Sequence, residues 1–236
     1  MIRAVTLDAY GTVFDFESHL PAVAGDVLAA ERVERLSARE LADAWGAHFG
    51  ALYEEFGRTY RAGARAFKTV AELTAEALAA AYRQHGLERD PWPGTEIWLR
   101  CLRAVEPFPE VGATLQALAG RLTLAMISDT DDDIIAPALK RIKGPFRFVL
   151  TSEQVRAYKQ DPRATLFRRA LAELDLAAGE VLHVGDSAAD VAGAKAAGMP
   201  VAWVNRAGRK LPASCPRPDW EIPDLAALPE IVESRS

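Results

Sequence analysis

Cysteine is scarce in this 236-residue chain: Cys101 and Cys215 stand far apart, with neither the pairing of a disulfide framework nor the clustering of a thiolate metal site. The chain therefore reads as a protein of a reducing compartment, with the cytoplasm as the default. Histidine is equally sparse, and His19, His48, His85 and His183 are too scattered for a zinc centre. No apolar run approaches the ~20 residues that span a bilayer, and MIRAVTLD is too short an apolar start for a secretion signal. Excess positive charge is also missing. A formal net charge of −5 leaves no broad basic surface for nucleic acid. Internal repeats and long charge blocks are absent. A small anionic substrate stays compatible with this balance if local charge is arranged for it, and neither a nucleic-acid nor a membrane partner is expected.

What is present is apolar material for a sizeable core, since half of the residues are hydrophobic. Val5 and Leu7 with their neighbours read as a short buried strand that ends at Asp8, where the turn DAYGT begins. From Asp15 to about Val105 the pattern is helical. Ser37 with Glu40, and Thr69 with Glu72, have capping-box spacing, so helices are expected to begin near Ala38 and Val70. Trp45, Phe49, Tyr53, Phe56 and Tyr60 recur every three or four residues as one aromatic stripe, either a buried seam between helices or the lining of a pocket. Pro91, Pro93, Gly94, Pro107 and Pro109 then punctuate the chain as a domain edge would.

Beyond Pro109 short apolar runs alternate with helical stretches. Leu122–Ser128, Phe146–Ser152, Val181–Asp186 and Pro200–Asn205 read as strands, with helices near Ile134–Arg141, Arg163–Leu174 and Ser187–Ala197. Such alternation gives a mainly parallel sheet covered on both faces, an α/β architecture of three layers. Gly193 and Gly198, with the alanines around them, would let a helix lie close to that sheet. Asp131, Asp132 and Asp133 precede a helical run and favour its N-terminus. His183, inside a strand pattern, reads as structural.

Each strand end carries polar groups: Asp8 after the first, Ser128 and Asp129 at the second, Lys159 after the third, Asp186 and Asp190 after the fourth. Parallel strands place their carboxyl ends along one edge, so these groups converge. Order and placement together resemble the haloacid dehalogenase superfamily of aspartate-nucleophile hydrolases. The resemblance implies a Rossmann-like core built from residues 1–15 and 105–236, with a helical cap, 16–104, inserted after the first strand. It further implies Asp8, Tyr10 and Lys159 as catalytic residues, and Thr12, Ser128, Asp129 and Lys159 on the substrate. In the magnesium-dependent branch Asp8, the Tyr10 carbonyl, Asp186 and Asp190 would hold the ion.

The motifs divide on the reaction. Tyr10 stands where phosphatases of the family usually place a second Asp as general acid and base, and DAYGT is similar to the 2-haloacid dehalogenase branch; halide leaves without a proton, whereas an alkoxide needs one. GDSAAD is similar to the phosphatase metal motif, while dehalogenases tend to have Ser and Asn at positions 186 and 187. Asp129 replaces their common Asn, Thr165 replaces an expected Tyr, and Trp45-Gly46 shows no counterpart of their carboxylate-binding arginine. Counting charge, four carboxylates against Lys159 alone call for a cation, and Mg²⁺ suits such oxygens. The expectation is therefore a Mg²⁺-dependent phosphatase acting on a small phosphorylated metabolite, as monomer or homodimer. The alternative is an (S)-2-haloacid dehalogenase with no metal, and a third reading is an anion-binding protein of this fold with little turnover.

Overall fold

The computed structural model describes residues 1–59, 66–142 and 144–234. Strand β1 (Ala4–Leu7) is followed by helices α1 (Leu20–Ala30), α2 (Ala38–Thr59), α3 (Val70–Gln84) and α4 (Trp92–Ala104). Then come α5 (Val111–Ala119), β2 (Thr123–Ser128), α6 (Asp132–Leu139), β3 (Phe146–Thr151), α7 (Ser152–Val155), α8 (Thr165–Leu174), β4 (Val181–Gly185), α9 (Ala188–Ala196), β5 (Val201–Val204), β6 (Trp220–Ile222) and α10 (Leu228–Glu233). The six strands form one parallel sheet in the order β3-β2-β1-β4-β5-β6. This is the Rossmann-like α/β fold expected. Strand β6 and helix α10 extend it beyond the four later strands legible in sequence.

Side-chain alternation explains the layering. Val5, Leu7, Leu124, Met126, Leu182 and Val184 point to one face, where Val111, Leu115 and Ile231 cover them. Ala4, Ile127 and Val181 point to the other, against Phe167, Ala170, Val191 and Ala194 of α8 and α9. A Cβ on Gly193 would lie 2.6 Å from the Lys159 carbonyl and closer still to the Phe167 ring, so glycine there allows α9 to press onto the segment that carries Lys159.

The inserted helices have a core of their own, with Val27, Leu41, Leu78, Ala81 and Leu99 buried together. Both capping boxes form: the Ser37 hydroxyl accepts the Glu40 N–H at 3.2 Å and Thr69 accepts the Glu72 N–H at 3.1 Å. Docking onto the sheet relies on carboxylates. Asp131 does not cap α6 with its side chain; it accepts the Val70 and Ala71 N–H groups of α3 at 2.8 and 2.9 Å. The free N–H groups at the start of α3 outcompete the local cap. The Asp133 carboxylate accepts from Arg103 at 2.6 Å, while Asp132 accepts from the Thr151 hydroxyl at 2.7 Å. The aromatic stripe divides: Trp45, Phe49 and Tyr53 line a cavity, whereas Phe56 packs edge-on against Phe67 and Tyr158. Tyr60 lies outside the described residues.

Candidate active site at the strand ends

The position of Asp8 is set by the sheet. Its N–H donates to the Val184 carbonyl at 2.9 Å, which fixes the residue between the ends of β2 and β4 with 5% of its surface exposed. The chain then turns through Gly11, φ +89°. A Cβ there would sit 2.4 Å from Asp186 Oδ2, so the turn needs glycine both for its backbone and to admit that carboxylate. Arg206, after β5, fastens the same turn by donating to the carbonyls of Gly11 and Thr12 at 3.3 and 2.9 Å while pairing with Glu110 at 2.6 Å.

Lys159 is the centre of the charge network. Its ammonium pairs with Asp8 and, at 2.6 Å, with Asp190 Oδ1. Burial would strip the charge from Lys159, but Asp190 and Asp8 hold its pKa above the ordinary lysine value. Asp190 also accepts from His183 Nε2 at 2.9 Å and from the Ser187 N–H at 3.1 Å. His183 Nδ1 faces the Thr6 hydroxyl at 2.9 Å. Because an ionised carboxylate only accepts, Nε2 donates to Asp190. Against the burial that would raise it, Lys159 and His183 keep Asp190 well below the usual carboxylate range. Asp8 goes the other way: burial pushes it up and Lys159 opposes the shift.

Ser128 donates to Asp8 Oδ1 at 3.4 Å. Asp129 accepts the Lys159 backbone N–H at 3.1 Å on both oxygens and bonds the Tyr53 hydroxyl from α2. Burial raises its pKa to about 7 despite Lys159. Tyr10 leans into the inserted helices, with its hydroxyl donating to the Leu102 carbonyl at 3.4 Å and its ring near Phe14 and Phe16. Burial drives its pKa above the ordinary tyrosine value, so it holds its proton through any turnover near neutrality. Thr12 is fully buried with an unpartnered hydroxyl and is not among the residues lining the cavity over Asp8. Thr165, instead of reaching the site, bonds Asp161 at the start of α8.

Among the described residues, Asp8, Asp186 and Asp190 bring carboxylate oxygens within 4.8 Å of one another. Hard oxygens of this kind fit Mg²⁺ through Asp8 and Asp186, but Asp190 is committed to Lys159, His183 and Ser187. Nor does charge balance demand a metal. Arg209 lines the cavity and approaches Asp186 Oδ2 at 3.8 Å, and Asp129 is shared between Tyr53 and a backbone N–H. Sequence reasoning missed Arg206, Arg209 and the Tyr53 contact. A cluster of basic residues, Arg206, Arg209 and Lys210, just past a strand was the available signal.

The pattern of haloacid dehalogenase-like hydrolases matches residues 2–198. The chain belongs to this family. Among its relatives, an (S)-2-haloacid dehalogenase of Pseudomonas sp. strain YL is 28% identical, over 99% of this chain and 95% of its own. Haloacetate dehalogenase H-2 of Moraxella sp. strain B is 27% identical over 98% of each. A solved L-2-haloacid dehalogenase superposes with a TM-score of 0.82 at 26% identity, covering 98% of this chain and 99% of that one. Similar phosphatases match far less: a phosphoglycolate phosphatase of Pseudomonas savastanoi covers 45% of the chain and a phosphoserine phosphatase of Thermus thermophilus 55%. These findings overturn the phosphatase expected from GDSAAD and from charge counting. The physical reason is that the count set Lys159 alone against four ionised carboxylates, whereas Arg209 also faces Asp186, and Asp129, its pKa raised to about 7, is bonded by Tyr53.

Proposed function

We propose that this hydrolase is an (S)-2-haloacid dehalogenase that needs no metal. The observation that carries the reading is Tyr10: where a phosphoryl-transfer site of this family would place an acid, the cavity wall has a half-buried phenol that keeps its proton and donates it to the Leu102 carbonyl of the inserted helices. A halide departs without a proton, so this site loses nothing by the replacement. The full-length likeness to dehalogenases supports the same conclusion.

Asp8 attacks C2 of the acid from the side opposite the halogen. The C–O bond forms as the C–halogen bond breaks, and halide leaves with the bonding pair. Burial makes the ionised carboxylate a stronger nucleophile, and Lys159 keeps ionisation accessible. Ser128 orients the attacking carboxylate. Water then adds to the Asp8 carbonyl carbon. Asp186, with an oxygen close to Asp8, supplies the base, and cleavage of the acyl C–O bond releases the 2-hydroxy acid with inverted C2 and restores Asp8. Lys159 and Arg209 offset the charge of the substrate carboxylate. A divalent ion on Asp8 and Asp186 would neutralise the nucleophile, so added Mg²⁺ does not raise the rate.

Halide release from (S)-2-chloropropionate, with (R)-lactate as product and equal rates in EDTA and in Mg²⁺, is the expected result. No release from any 2-haloacid, or release only with Mg²⁺, would sink the proposal.

A further inference from the structure

Resting on the dehalogenase reading, we infer that the preferred substrates are 2-haloacids whose C2 carries a bulky apolar group, such as benzyl or a branched alkyl chain. The cavity over Asp8 has a volume of about 340 Å³. That lies in the range that encloses drug-sized ligands, and a halopropionate is far smaller. Its polar groups are segregated. Asp8, Ser128, Lys159, Asp186 and Arg209 stand at the strand-end side, while Phe16, Trp45, Phe49, Trp98 and Leu102 form the wall contributed by the inserted segment. A ligand that matches both ends has its carboxylate and halogen-bearing carbon at the sheet and apolar mass toward the helices.

Two further observations give that wall its meaning. Trp45 is pinned by a 3.1 Å bond from Nε1 to the Thr74 carbonyl and meets Trp98 edge-on at 6.1 Å, and Trp98 meets Phe16 likewise at 6.2 Å. Rings locked in this way do not collapse around a small substrate, so a halopropionate leaves apolar wall uncovered. Gly46 also lines the cavity, and a Cβ there would meet nothing within 4 Å. No close approach or special backbone demands glycine inside α2, where glycine disfavours the helix. Gly46 is exposed, so its effect is an open mouth to the cavity beside Trp45. Filling an apolar pocket is worth about 10- to 200-fold in kcat/KM for each methylene.

Bromide release tests this by comparing (S)-2-bromo-3-phenylpropionate with (S)-2-bromopropionate. A kcat/KM at least about tenfold higher for the phenyl acid is expected. An equal or reversed preference overturns the substrate class and leaves the dehalogenase reading standing; release from neither overturns both. In Gly46→Leu, which fills the space with a good helix former, the ratio of the two kcat/KM values should fall about tenfold, and an unmoved ratio overturns the proposal. Independently of any variant, 3-phenylpropionate should inhibit the unmodified protein at concentrations at least about tenfold lower than propionate, and equal inhibition counts against the proposal.

Discussion

The two sides of the cavity over Asp8 are built on opposite principles. At the strand ends every carboxylate that lines it has a partner, and the chain Thr6–His183–Asp190–Lys159–Asp8 is held by successive polar contacts. Across from it the inserted segment offers aromatic faces and the gap at Gly46. A paired network fixes reacting atoms because moving one partner leaves another buried and unsatisfied. An apolar wall imposes shape without direction. The difference teaches that, under the proposed reading, chemistry and choice of substrate reside in separate parts of the sequence, and each is open to change alone.

The largest expected effect comes from deleting the chemistry while keeping the wall. Asp8→Asn should lower halide release by about 10⁴-fold or more with the far-ultraviolet circular dichroism unchanged; residual turnover above that level means that the nucleophile lies elsewhere. A smaller effect is expected at Asp129, the carboxylate that joins the two sides through Tyr53. Its folded pKa of about 7 lies above the ordinary aspartate value of 3.8, so the folded state binds its proton more tightly. Stability from this group is therefore full below pH ~4 and is lost as pH rises through ~7. Asp129→Asn removes that loss, and the variant should gain on the unmodified protein between pH 4 and 8, by on the order of 1–4 kcal/mol at about 1.4 kcal/mol per pKa unit. Urea melts across that range measure it; a constant difference would separate Asp129 from the titration. The smallest effect belongs to the inserted helices. Thr69→Ala removes the α3 cap and should cost about 1 kcal/mol without altering kcat on a small haloacid, measured by thermal unfolding beside initial rates.

Much of the strand-end side was legible in the sequence. Asp8, Ser128, Lys159, Asp186 and Asp190 each follow a short apolar run, and parallel strands bring such positions together. Ser37 and Thr69 marked the starts of α2 and α3 because capping is a local signal. The remainder depended on packing. Nothing local to Tyr53 says that its hydroxyl crosses to Asp129, and Asp131 caps a helix distant in sequence. Strand β6 is only three residues long after a proline-rich loop, too short for a periodic pattern. The preference for a phosphatase came from the GDSAAD motif and from a charge count that set Lys159 alone against the carboxylates. The positions of Lys159 and Arg209 among the carboxylates are facts of three dimensions.

Strand β1 precedes both of its neighbours in the chain: Val5 lies opposite Leu124 on one side and Leu182 on the other. On a ribosome, therefore, the strand that ends at Asp8 emerges ahead of β2 and β4, while α1 to α4 have near neighbours in sequence. Long-range pairing of this kind is slow. The inserted helices can reach their own packing during synthesis, and Asp8 is seated only when β2 and β4 arrive. The aromatic wall of the cavity can thus take shape before the carboxylate that faces it is in place.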